Sequence, residues 1–140
     1  MAQLTNASFT MPLAQAGQIA DTSKRTIDSY AAEGVIEFGK AVERGTDSAK
    51  QVKSFDGGVF AGISVFSQAE ETGQYKDKGS VSVMSSGRVV VDTLAVEVEA
   101  GEAAYAVDAT GAITNVATSA TAIGTFLTSG TGLNVIQVEV

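Results

Sequence analysis

The chain has 140 residues, with 9 Lys+Arg against 16 Asp+Glu for a net charge of −7, and it contains neither Cys nor His. That length suits one domain with a self-sufficient core. Without Cys there is no disulfide framework, thiolate metal site or thiol nucleophile, and without His the common triads, zinc sites and imidazole acid–base catalysis are excluded. A protein that offers surface rather than chemistry is expected: no enzyme, no cofactor and no metal.

In chain order, residues 1–20 carry no charged side chain. They lack a basic n-region, and polar residues interrupt every apolar run, so they fit neither a signal peptide nor a transit peptide. No stretch approaches the ~20 apolar residues that span a bilayer. A soluble protein, made in the cytoplasm and without a membrane partner, is expected. Leu4, Phe9, Met11, Leu13 and Ile19 are larger apolar residues that a purely solvated tail does not need. With no ion to desolvate on burial, the segment reads as an arm that orders on a partner.

Residues 21–140 read as one β-rich domain, with 15 Gly, a single Pro and short β-branched runs between turn signals. Residues 23–34 fit either a short helix capped by Thr22 or Ser23 or an extended connector. Strands are expected at 35–38, at 40–44 and, after the Asp56-Gly57-Gly58 turn, at 59–66. Residues 81–84 and 88–91 flank Ser85-Ser86-Gly87 and read as a hairpin. The alternation over 94–99 predicts a strand with Leu94, Val96 and Val98 inward and Glu97 and Glu99 outward. Further strands are expected at 103–107, 112–116, 122–128 and 133–140, the last two joined by a Ser129-Gly130-Thr131-Gly132 loop. The fold class is all-β: a small barrel or sandwich, jelly-roll-like, with an extended N-terminal arm.

Candidate chemistry is thin. The Gly-rich loop at 129–132 lacks the Lys-Ser/Thr of a phosphate loop. Glu97, Glu99, Glu102 and Asp108 suggest a carboxylate pair or a calcium site, but their alternation with core positions reads as a solvated acidic face. Ser85 and Ser86 near Arg88 have no general base in a recognisable motif. All nine basic residues lie between Lys24 and Arg88, whereas residues 89–140 hold six acids and no base. Such a chain is repelled by phosphate backbones, so no nucleic-acid partner is expected.

An ordered string of motifs carries a resemblance. Ala16-Gly17-Gln18-Ile19-Ala20-Asp21, Glu37-Phe38-Gly39-Lys40-Ala41-Val42, Arg44-Gly45-Thr46-Asp47 and Phe60-Ala61-Gly62-Ile63-Ser64-Val65 are followed by Val81-Ser82-Val83-Met84 and Gly87-Arg88-Val89-Val90-Val91. Ala100-Gly101-Glu102-Ala103-Ala104-Tyr105, Thr110-Gly111-Ala112-Ile113-Thr114-Asn115 and Phe126-Leu127-Thr128-Ser129 complete the string. Over residues 11–140 this resembles tailed-phage structural cement proteins, also called capsid decoration proteins. The resemblance implies a β-rich virion protein on the outer surface of the head that binds the major capsid protein and itself, as a homodimer or homotrimer, and has no catalytic residues. The alternatives are another virion β-module, of tail or baseplate, and a glycan-binding β-sandwich.

Overall fold

A computed structural model describes residues 15–21, 24–67 and 74–139. Among them there are eleven strands and no helix: β1 (Thr26–Ala32), β2 (Ile36–Glu37), β3 (Ala41–Arg44), β4 (Gln51–Ser54), β5 (Phe60–Ser64), β6 (Gln74–Tyr75), β7 (Ser80–Asp92), β8 (Ala103–Val107), β9 (Ile113–Thr114), β10 (Ala120–Phe126) and β11 (Leu133–Glu139). Nine strands form one sheet in the order β1-β4-β3-β5-β7-β11-β10-β8-β9, and an additional β1–β7 pairing closes the first five into a ring. The chain is all-β, a barrel-like sheet with further strands continuing from it, as its composition implies. Closure removes the free edges that an open sheet exposes.

Two cores result. The first fills the ring: Ala32, Val42, Val52, Ala61, Val81 and Val83 each come from a ring strand. Ile36 and Tyr75, paired across the short β2–β6 ribbon, join it. Phe38 packs edge-on against Phe66 and Tyr75, with ring centroids 5.4 and 5.1 Å apart, a favoured aromatic geometry. The second core lies between the outward side of the ring and the β8–β11 strands, and includes Ala41, Ile63, Met84, Val89, Val91, Ala106, Phe126, Ile136 and Val138.

Serving two cores requires strands that are apolar on both faces. Ala41 faces the second core and its neighbour Val42 the first. In β5 a bulge does the same: Val42 pairs with Gly62 and Glu43 with Phe60, leaving Ala61 as the extra residue. Ala61 therefore enters the ring while Ile63 enters the second core. Gly62 has φ +147°, and a Cβ there would run into the Met84 carbonyl oxygen.

The expected hairpin at 81–91 is instead β7, one strand of thirteen residues. Ser82 and Val90 nevertheless come close. Val65 N donates to Ser82 O, Phe66 N to Gly17 O, and Gly17 N to Val90 O, at 2.9, 2.8 and 2.8 Å. That short path cannot bridge the ~26 Å of eight straight strand residues, so β7 turns a corner. Its register against β1 shifts where Thr26 pairs with Ser86 and Ile27 with Met84, and Gly87 has φ +133°. The turn signal was real, but both arms keep outside partners, β1 and β5 before the corner and β11 after it.

Two further expectations change. Residues 26–32 are neither helix nor connector but β1, which pairs with β4 in parallel and β7 in antiparallel fashion; the caps Thr22 and Ser23 lie outside the described residues. Residues 94–99 form no strand. Leu94 has φ +55° and is 64% exposed, while Val98 is buried and makes an isolated bridge to Gly130. Asp92 Oδ1 accepts the Leu94 N–H at 2.8 Å, a local side-chain bond that favours a turn over a ladder.

Candidate functional site

Of the five apolar arm residues, Leu4, Phe9, Met11 and Leu13 lie outside the described residues. Ile19 is placed against the domain itself: it bridges to Val89 and packs on the second core. Around it, Gly17 N donates to Val90 O, Val90 N to Gln18 O and Ala20 N to Arg88 O, at 2.8, 2.9 and 3.1 Å. Gly17, with φ +86°, lies so close to its neighbours that a Cβ would sit 2.8 Å from Phe66 N and 3.0 Å from Gly39 N. Asp21 adds an ion pair to Arg88 at 3.1 Å. Residues 15–21 are thus a root, fixed to β7 by hydrogen bonds and glycine packing.

The polar clusters that suggested chemistry serve as structure. Arg88, beside Ser85 and Ser86, donates instead to Asp21 and to Gln137 Oε1, the latter at 3.2 Å. Glu102 Oε1 accepts the Glu99 N–H at 2.6 Å and Asn115 Nδ2 at 3.2 Å. Asp108 Oδ1 accepts the Thr121 hydroxyl at 2.8 Å. Among the described residues no group of three or more acidic side chains is arranged to hold a metal, and no helix is long and apolar enough to cross a membrane. Among the described residues the exposed large apolar side chains are Val35, Val59, Leu94, Val116 and Leu127, none of them aromatic, so these residues offer no stacking platform for a sugar or a base.

Sequence reasoning missed two buried polar anchors. Glu43, 6% exposed, accepts the N–H groups of Asp56 and Gly58 on Oε1 and has Lys53 Nζ 3.6 Å from Oε2. It holds the 56–58 turn against β3. Asn134, 1% exposed, ties two loops together. Its Nδ2 lies 3.2 Å from Thr93 Oγ1 and from Gly130 O, and its Oδ1 accepts the Thr128 hydroxyl at 2.9 Å. The Gly132 N–H and C=O bond Leu94 O and Thr93 N, at 2.9 and 2.8 Å. Asn115 Nδ2 adds a bond to Glu97 O at 3.2 Å. Segments 93–98, 115–116 and 127–132 therefore form one block, preorganised by a satisfied polar network. Among the described residues no buried side-chain nitrogen or oxygen lacks a partner. A lone Glu inside β3 and a lone Asn inside β11 give no periodic signal, which is why only the fold reveals them.

The described residues thus form a β scaffold whose loops are held by hydrogen bonds, with a root leading to an uncharged segment. No curated protein matches the sequence. In structure, the chain is similar to one in the capsid of Myoviridae phage XM1, with 16% identity, TM-score 0.76 and 90% of each chain covered, which shows a shared fold. A family model described as structural cement protein (E217 gp24/Pam3 gp6) matches residues 3–140. With nearly its whole length matched, the chain belongs to the structural cement protein family of phages and has a structural role in the capsid.

Proposed function

We propose that the protein decorates the outer surface of the assembled phage head and stabilises contacts between major capsid proteins. The family match over residues 3–140 carries this reading. The charge pattern supports the outer face: residues 89–140 hold six acids and no base, so this half has no electrostatic attraction to packaged DNA. A protein that binds the assembled lattice better than its free subunits stabilises the lattice by mass action. Association as a homodimer or homotrimer at a local symmetry axis would multiply modest contacts into avidity.

The charge-free N-terminal segment is the proposed grip. Residues 15–21 bond to β7, so the segment we assign to the shell, or to a neighbouring copy, is residues 1–14, with Leu4, Phe9, Met11 and Leu13 as its apolar contacts. Removing residues 1–14 keeps the residues whose backbone bonds tie the root to β7: Gly17, Gln18 and Ala20. The truncated protein is expected to keep the circular dichroism spectrum and melting temperature of the full chain. Cosedimentation with heads that lack the protein should fall at least tenfold in affinity, the effect of burying about one large apolar side chain less. Undiminished binding of the truncated protein would overturn the role of the arm. Binding of the full chain to tails and not to heads would overturn the decoration reading.

A further inference from the structure

The loop block built on Asn134 carries an unusual residue. Leu94 sits at φ +55°, a region that costs a bulky L-residue steric energy and that Gly or Asn occupies more easily. Its N–H is taken by Asp92 Oδ1 and its carbonyl by the Gly132 N–H, so the surrounding bonds hold this conformation. The result is a leucine side chain 64% exposed on a rigid turn. The other segments of the same block present Val116, 53% exposed, and Leu127, 37% exposed. The same block carries the exposed Glu97, and the exposed Glu99 and Glu102 are bonded to each other and, through Glu102 Oε1, to Asn115 beside Val116, with no Lys or Arg in residues 89–140 to offset them. Strain retained to display an apolar side chain is a functional signature, and a preorganised apolar centre inside a charged rim is the anatomy of an interface.

We infer that this block is a second docking face, with Leu94 seated in an apolar recess of a shell protein whose surrounding surface is rich in Lys and Arg. The inference rests on the decoration reading and names the chemistry of the surface that is decorated. A second copy of this chain is the poorer occupant, because the same face of two copies would bring two carboxylate rims together without a counter-charge. Val35 and Val59 lie on other connections and are not part of this face.

Leu94→Asn separates display from strain, since Asn tolerates positive φ and carries no apolar side chain. The free variant is expected to melt at or a few degrees above the wild-type temperature. Its affinity for heads lacking the protein should fall about tenfold or more, while Leu94→Met keeps most of it. Neutralising Glu97 and Glu99 together to Gln should slow association and flatten its salt dependence. Wild-type protein that ignores heads would overturn the decoration reading and this face with it. Wild-type binding matched by L94N would overturn this face alone. If L94N melts below wild type, Leu127→Gln decides instead: lost head binding at an unchanged melting temperature supports the face, and unchanged binding overturns it.

Discussion

Glu33 directs both carboxylate oxygens to one residue. Thr46 donates its backbone N–H to Oε1 at 2.8 Å and its hydroxyl to Oε2 at 2.6 Å, clasping the β1–β2 connection to the β3–β4 connection. These bonds favour the charged form and hold the Glu33 pKa below the ordinary glutamate value; the hydroxyl bond contributes most, then the backbone N–H. The sign follows from linkage. A carboxyl whose folded pKa is depressed adds stability that is complete above the unfolded value, ~4.3, and is lost as the pH falls through the folded one. Because Glu33 is at the surface, solvent screening keeps the effect small. The expected observation, by side-chain NMR titration, is a Glu33 midpoint below the ordinary range that moves upward in Thr46→Ala. A midpoint that stays put in that variant would refute the clasp. Nothing in the sequence pairs Glu33 with Thr46, thirteen residues apart and in different connections; the contact exists because β1 and β4 lie side by side in parallel.

At the scale of the element, β7 is the strand on which the architecture turns, and it shows what a linear reading can and cannot reach. Ser85-Ser86-Gly87 reads locally as a turn because small residues and glycine are turn chemistry, and the backbone does bend there. Whether a bend makes a hairpin depends on which strands flank it, and that is settled by residues far away: β1, β5 and β11 take the edges that the two arms would otherwise offer each other. The alternation at 94–99 gives no strand for a related reason: among the described residues its ladder contact is a single bridge from Val98 to Gly130, and Asp92 offers a turn. By contrast β3, β8, β10 and β11 were legible, because their apolar faces pack on cores that the pattern itself implies. Gly87 tests the corner. At φ +133°, a Cβ would sit 2.6 Å from the Arg25 Cβ and 3.0 Å from the Met84 sulfur. Gly87→Ala is expected to destabilise the domain by about 2–4 kcal/mol, combining backbone strain with the displacement of packed neighbours. Chemical denaturation measures this directly, and a loss under ~0.5 kcal/mol, typical of neutral surface changes, would mean that the corner does not depend on glycine.

For the whole molecule, the decisive feature is that the two cores share walls. β3, β5 and β7 each send side chains into both, through Ala41 and Val42, Ile63 and Ala61, and Met84 and Val83. The all-β class was legible from composition. The doubled core was not, because it depends on bulges that flip side-chain parity, and a bulge has no mark in the sequence beyond a glycine such as Gly62. Shared walls have a mechanical consequence for a protein that cements a shell: a load on one part of the domain reaches the other without a flexible seam between them. They also have a thermodynamic one. If β7 cannot leave one core and stay in the other, the domain unfolds in one step, as single domains of this size usually do. The tyrosines provide probes at separate places. Tyr75 is buried in the ring core and Tyr105 lies on β8 beside the second, and the chain has no Trp to mask them. Phe126, fully buried in the second core, is the lever: Phe126→Ala is expected to cost about 3–5 kcal/mol through lost burial and the cavity left behind. In a cooperative domain the denaturant midpoint reported by Tyr75 shifts with that reported by Tyr105, each read in a background where the other two tyrosines, Tyr30 included, are Phe. Hydrogen exchange at β1 and β4 should accelerate together with exchange at β8 and β10. A Tyr75 midpoint left at its wild-type position while the Tyr105 midpoint falls would show that the ring folds independently, and the corner in β7 would then be a hinge.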